Sequence, residues 1–295
     1  MKIFLMIFFV KTLIYALSFE VTNTNIANGA SSLLTFDKEK NIVYQKITLD
    51  KKSFPIYPNP VDGTKMYAFV AVSYYAKPKN KTATIHYTKN GVKKTEKIAL
   101  KIIQGAYKKE SIHVTKSKVN PKKKHSLRIS KEYHEAMKIY ATATKENFLS
   151  SKFVLPLNSF ITSDYGKARV YNDTLKGYHS GTDFRAKIGT PIIASNDGRI
   201  VLVKDRFYSG GTVIIDHGQG IYTCYYHMSA FKVKQNDKIK KGEVIGFSGK
   251  SGRVTGPHLH FSVRIAGVQV DPLQFVKLMN GTLLRKKNEK KMKDK

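Results

Sequence analysis

The sequence predicts a mainly β protein with an N-terminal β-sandwich-like accessory domain, a short linker helix and a C-terminal antiparallel β domain. Three observations carry this reading. Residues 19–120 hold short β-branched and aromatic runs separated by turn residues. Around residue 130 the apolar spacing switches to a helical period. From residue 153 short strands return, with glycines between them. At 295 residues the chain is long enough for two domains, and 41% hydrophobic residues suffice for packed cores.

Residues 1–18 read as an export signal. Lys2 gives a positive start, residues 3–10 are apolar, and residues 12–17 continue the run after Lys11. Ala16-Leu17-Ser18 places small residues at a cleavage site. The run is short, and Lys11 interrupts it, which disfavours a membrane-spanning helix. A retained anchor in the inner membrane is the alternative. No other long apolar run follows, so no integral membrane domain is expected after signal removal.

In the accessory region, residues 41–49 and 66–75 are strand-like, and 83–88 and 93–100 flank Asn90-Gly91, a type I′ hairpin signal. Tyr57-Pro58-Asn59-Pro60 reads as a turn. His86 and His113 are isolated and suggest no catalytic group. Residues 121–152 form a linker with a helix. Pro121-Lys122-Lys123-Lys124 is polar, and Ser130 can cap a helix over about 131–146. Tyr133, Met137, Tyr140 and Thr144 share one face of that helix, which reads as a docking surface. The C-terminal domain, 153–280, shows strands at 153–155, 190–194, 199–203, 212–216, 221–227, 243–247 and 258–265. Residues 281–295 are a basic tail, expected to be disordered.

The net charge of +31 favours an acidic polymer as partner. An export signal argues against nucleic acid and leaves peptidoglycan, teichoic acid or anionic lipid. The single cysteine, Cys224, cannot form an internal disulfide, and its strand-like setting reads as a core position. Without a cysteine pair, a cysteine-rich structural zinc site is excluded.

Five of the nine histidines fall between residues 179 and 260. In His179-Ser180-Gly181-Thr182-Asp183 an imidazole and a carboxylate, both ordinary zinc ligands, lie four residues apart. In His258-Leu259-His260 two histidines share one strand face, and Leu259 points the other way. Tyr225-Tyr226-His227 ends another strand. Three protein ligands plus an open position is the plan of a catalytic zinc site. His179, Asp183 and one of His258 and His260 would supply the three; spacing does not choose between the pair.

Residues 153–278 resemble the lysostaphin/LytM-type peptidases, the M23 metallopeptidase family. The resemblance rests on His179-x-x-x-Asp183, Gly189-Thr190-Pro191 with Asp197-Gly198, and Ile215-Asp216-His217-Gly218. It continues through Tyr225-x-His227, Lys241-Gly242-Glu243-Val244-Ile245-Gly246 and Gly256-Pro257-His258-Leu259-His260-Phe261. It implies one zinc per chain on His179, Asp183 and His260. It makes His258 and His227 the catalytic histidines, one taking the water's proton and the other steadying the oxyanion, with the roles exchangeable. Only Met228 departs mildly, where the family often has an aliphatic residue. The N-terminal half resembles, in arrangement, the accessory domain of Gram-negative relatives. The resemblance therefore implies a periplasmic peptidoglycan hydrolase that cuts the D-alanyl–diaminopimelate crosslink, with D,D-carboxypeptidase trimming as a second activity. The alternative is a non-enzymatic LytM-like regulator of another wall hydrolase. Such members have lost zinc ligands, whereas here every expected position is filled.

Overall fold

The structure is a computed structural model that describes residues 17–284 except 115, 150 and 174. The signal reading for residues 1–16 and the tail reading for 285–295 fall outside the described residues. No helix among the described residues is long and apolar enough to cross a membrane.

Two sheets form the N-terminal sandwich. One runs in the order Phe19–Val21, Ser31–Asp37, Lys65–Ala71, Tyr57–Pro58. The other runs Asn25–Ala27, Val92–Ile103, Lys79–Lys89, Ile42–Leu49, Lys52–Pro55. Period-two patterning builds the second sheet: Ile98, Leu100 and Ile102 are buried, while Lys97, Ala99 and Lys101 between and beside them are exposed. Much of the basic charge is therefore a solvated outer face. Asn90 and Gly91 both have positive φ (51° and 79°), which a type I′ turn requires, and they set the register Lys89↔Val92.

The first sheet is covered on both faces, so Ser31–Asp37 and Lys65–Ala71 are buried almost continuously. One face meets the second sheet. The other meets the C-terminal domain, where the rings of Phe69 and Phe275 lie 6.0 Å apart. There the Gln274 amide donates to Ser31 O at 2.9 Å, its Oε1 accepts from Ser31 N at 3.2 Å, and Tyr67 donates to Gln219. One continuous apolar cluster, including Leu17, joins the two halves.

The linker differs from its sequence reading. Its helix spans Ser126–Tyr140, about one and a half turns earlier than expected, after a 3-10 turn at Lys123–His125 and without a side-chain cap. It stops at Tyr140, where the Thr142 hydroxyl takes the Ile139 carbonyl at 2.6 Å. The buried stripe is Glu132, Ala136 and Tyr140, and Tyr133 is 57% exposed. Glu132 can be buried because Arg128 (2.6 Å) and the Phe207 N–H (2.8 Å) satisfy it. Ahead of the helix, Lys109–Ile112 pairs in parallel with Ala168–Tyr171, which pairs with Leu175–Tyr178.

The C-terminal domain is a ten-stranded antiparallel sheet. Its main path runs Ile161–Ser163, Thr182–Arg185, His258–Ile265, Ile221–Phe231, Gly210–Asp216, Gly198–Arg206, Lys238–Ile239. Asp271 caps the helix Pro272–Leu278, accepting from Leu273 N (2.9 Å) and Gln274 N (3.2 Å), with Pro272 in its first turn. The packed chain does not end at residue 280. Met279–Leu283 continues as a π-helical turn, and Leu283 and Leu284 enter the core at 1% and 2% exposure. This apolar pair corrects the expected start of the tail.

Candidate metal centre

Strand register builds the centre. Asp183 on Thr182–Arg185 lies directly across from His260 on His258–Ile265, and His260 lies across from Tyr226. His258 and His260 share a face, and Leu259 is fully buried on the other. The turn that delivers His179 needs glycine at 181. A Cβ there would sit 2.3 Å from the Phe261 carbonyl oxygen and 2.5 Å from His260 Nε2.

Asp183 Oδ1 lies 2.8 Å from His179 Nε2 and 2.8 Å from His260 Nδ1, and the two nitrogens are 3.0 Å apart. All three residues are buried. His179 donates its Nδ1–H to the Asp164 carbonyl at 2.7 Å, which orients the ring with Nε2 toward the cluster. Two imidazole nitrogens and a carboxylate oxygen thus converge, a donor set that fits a metal ion. Burial alone would raise the Asp183 carboxyl, but the hydrogen bonds with His179 and His260 outweigh it and hold the group well below its usual value. Burial pushes His260 down to about 4, against the partial compensation of Asp183. Both shifts favour an ionised carboxylate and a neutral imidazole, the forms in which such groups bind a metal.

Behind the ligands stands Arg169. It donates to Asp183 Oδ2 (3.3 Å), Glu110 Oε1 (2.5 Å) and Ser163 Oγ (3.1 Å). Glu110 comes from the parallel strand Lys109–Ile112, so the end of the accessory region reaches the back of the centre.

His227 and His258 stand at the front with ring centroids 4.8 Å apart. A bulge gives Ile221–Phe231 one extra residue here: Tyr225 pairs with Val213, but Met228 pairs with Gly211. His227 adopts φ +62°, a conformation uncommon for a non-glycine residue. Its Nδ1–H donates to the Ser251 carbonyl at 2.8 Å, and that of His258 to the Gly256 carbonyl at 2.8 Å. In its neutral form each ring, so held, presents a bare Nε2. Burial, with neighbouring His258 and His260, holds His227 well below its ordinary value. His258 Nε2 lies 3.7 Å from Asp183 Oδ1.

The structure thus gathers His179, Asp183, His227, His258 and His260 around one point. The fifth histidine of this half, His217, stands apart, buried and donating to the Asp197 carbonyl at 2.6 Å. Cys224 is a buried core residue whose thiol burial pushes up. The sequence reading missed Arg169, Glu110 and the Asp164 carbonyl. None sits in a motif spacing, and only tertiary pairing brings them to the ligands.

Residues 177–272 match the model of Peptidase family M23. The peptidoglycan DD-endopeptidase ShyA of Vibrio cholerae is 40% identical over 115 residues, 39% of this chain and 27% of that protein. The DD-carboxypeptidase/endopeptidase Mpg of Neisseria meningitidis is 46% identical over 95 residues, 32% of this chain and 22% of that protein. The chain spans about a quarter of the length of these curated relatives. A crystal structure assigned to peptidase M23 in Pseudomonas aeruginosa superposes with a TM-score of 0.65 at 24% identity, covering 85% of this chain and 94% of that one. This likeness in fold extends far outside the segment that the family model matches.

Proposed function

We propose that this chain, whose residues 177–272 match peptidase family M23, is a zinc-dependent hydrolase of peptide crosslinks in peptidoglycan. The observation that carries the proposal is the convergence of two imidazole nitrogens and a carboxylate oxygen, 2.8 to 3.0 Å apart, beside two histidines whose Nδ1 atoms are held by backbone carbonyls. In this reading His179, Asp183 and His260 hold one zinc. Zinc bound there would supply a Lewis acid that polarises the scissile carbonyl and lowers the pKa of a water to about 7.

The chain's own residues do the rest. His258 accepts the proton of the attacking water at Nε2, its ring held by the Gly256 carbonyl. His227 steadies the oxyanion, for which Nε2 must carry a proton. Burial keeps this ring neutral at rest, so that proton is taken up from solvent as negative charge develops on the substrate, and it returns to solvent when the product leaves. The proton that His258 takes from water passes to the leaving amine, which restores His258 to its starting state.

The relatives' names, peptidoglycan DD-endopeptidase and DD-carboxypeptidase/endopeptidase, support peptidoglycan as the target and both activities at one centre; the D-alanyl–diaminopimelate bond is the target that the family resemblance implies. Such a substrate requires export, and we place the protein in the periplasm. The complete ligand set weighs against a regulator without activity. The test is digestion of purified wall peptides by the zinc-loaded full chain, with products identified by mass. The expected products are monomers from crosslinked dimers; intact dimers beside stoichiometric metal would overturn the proposal.

A further inference from the structure

Beside the ligands opens a cavity of about 250 Å³. His227 and His260 form part of one wall, and the helix Ser126–Tyr140 forms another through Tyr133, Ala136, Met137 and Tyr140. Arg169, Arg206, Arg253 and Arg264 line it, and no aspartate or glutamate does. Arg169 is neutralised from behind by Glu110 and Asp183. The other three have no carboxylate partner among the described residues. Arg264 donates only to the Gly267 carbonyl (2.9 Å) and Gln269 Oε1 (2.8 Å), and its buried Nε has no hydrogen-bond partner. Arg206 donates to the Glu132 carbonyl at 2.8 Å, and its Nε is likewise buried and unpaired. Cationic groups withdrawn from water without a counter-charge are unfavourable. An anionic occupant would resolve this.

We propose that this cavity is an anion subsite in which Arg253 grips a free carboxylate of the substrate peptide. The guanidinium of Arg253 lies over the Tyr171 ring at 4.3 Å and the Tyr208 ring at 4.6 Å. Stacking occupies the faces of the planar group and fixes its plane, while its edge N–H donors remain available for a carboxylate fork. Its place in the chain ties the subsite to the chemistry. Arg253 lies between Ser251, whose carbonyl orients His227, and Gly256, whose carbonyl orients His258. A carboxylate seated on Arg253 is therefore registered against both histidines. Arg253 is a specificity residue, and the substrates it selects are peptides with a free carboxylate near the scissile bond, against their amidated counterparts.

This inference rests on the hydrolase reading, and its test separates the two. The zinc-loaded full chain is given three crosslinked wall peptides: the free acid, one amidated at the terminal D-alanine and one amidated on diaminopimelate. The wild type should prefer the free acid in kcat/KM by roughly ten- to hundredfold over one amidated form, and that form identifies which carboxylate is held. Arg253→Gln should lose the preference through KM while keeping its metal content. Arg253→Lys should recover part of it. In parallel, calorimetry measures binding of the acidic stem tripeptide L-alanyl-D-glutamyl-diaminopimelate and of its fully amidated form, with no bond cleaved. If the wild type cuts no peptide, the hydrolase reading fails, and tighter binding of the acidic tripeptide by wild type than by Arg253→Gln still upholds the subsite. Equal binding by both proteins, or an unchanged preference in Arg253→Gln, overturns it.

Discussion

Replacing Gly181 with alanine tests whether the ligand cluster depends on a close approach between the turn at His179 and the strand of His260. The added Cβ would lie 2.3 Å from the Phe261 carbonyl oxygen and 2.5 Å from His260 Nε2. Neither neighbour can swing away. The first is backbone inside a paired strand, and the second belongs to a ring held to Asp183 at 2.8 Å. Gly181 is not among the positive-φ glycines, so alanine brings no backbone strain and should gain about 0.4–1 kcal/mol through a less disordered unfolded chain. Overpacking a tight site costs about 1–3 kcal/mol. The clash should therefore win, leaving the variant about 1–2 kcal/mol less stable. Because relief requires His260 to move, zinc affinity should fall by roughly five- to thirtyfold, the factor that corresponds to such an energy. Urea unfolding of the metal-free protein and zinc titration against a competing chelator measure the two effects. A variant at least as stable as wild type, with unchanged zinc affinity, would refute the close-approach argument.

The two histidines of the strand pair should differ in kind: His260→Ala should be poor in zinc and inactive, whereas His258→Ala should keep its zinc and lose roughly 10²–10⁴-fold in rate. Metal analysis beside peptide digestion checks both, and zinc loss in His258→Ala instead would reverse the assignment. Burial pushes His217 down from 6.5 to about 4, so the unfolded chain takes up this proton first. Its contribution is complete above pH 6.5 and is lost as the pH falls toward 4, roughly 3 kcal/mol at about 1.4 kcal/mol per pH unit. Urea unfolding at pH 7 and 4.5 should show a larger loss for wild type than for His217→Gln, and parallel losses would contradict the linkage. Truncation after Thr282 should destabilise the fold by several kcal/mol relative to truncation after Leu284, because it removes two buried leucines; chemical unfolding decides this, with equal midpoints as the contrary result.

The parts of the fold legible in the sequence were those that one local rule decides. Ile98, Leu100 and Ile102 alternate with exposed residues, and Asn90-Gly91 supplies the positive φ of its hairpin. The helix was misplaced because its cues conflict with its packing. Ser126 begins it without a side-chain cap, and its buried stripe includes Glu132, whose partners Arg128 and the Phe207 N–H cannot be paired with it from spacing alone. The strand Lys109–Ile112 is half exposed, and it is defined by a parallel partner nearly sixty residues away. No local period encodes that partner. Leu283 and Leu284 stand beside a basic run that masks them, yet they complete the core.

At the candidate site the same division explains what spacing could offer and what it left open. His179 and Asp183, and His258 and His260, are close in sequence, so their chemistry shows in short motifs. Which of the paired histidines serves as ligand is instead a question of register between strands more than seventy residues apart. Asp183 stands across from His260, and Arg185 stands across from His258. The first pairing brings Nδ1 of His260 to 2.8 Å from the carboxylate, while His258 Nε2 stays at 3.7 Å. A slip of two residues would keep every side chain on its face and exchange the two histidines. The neighbouring strand opposes such a slip by pairing Ile221 through Tyr226 with Ile265 through His260. The buried run Phe261, Val263 and Ile265 would also lose its partners in the core. The packing of the sheet, remote from the cluster, thus sets which of two histidines on one strand face approaches the Asp183 carboxylate.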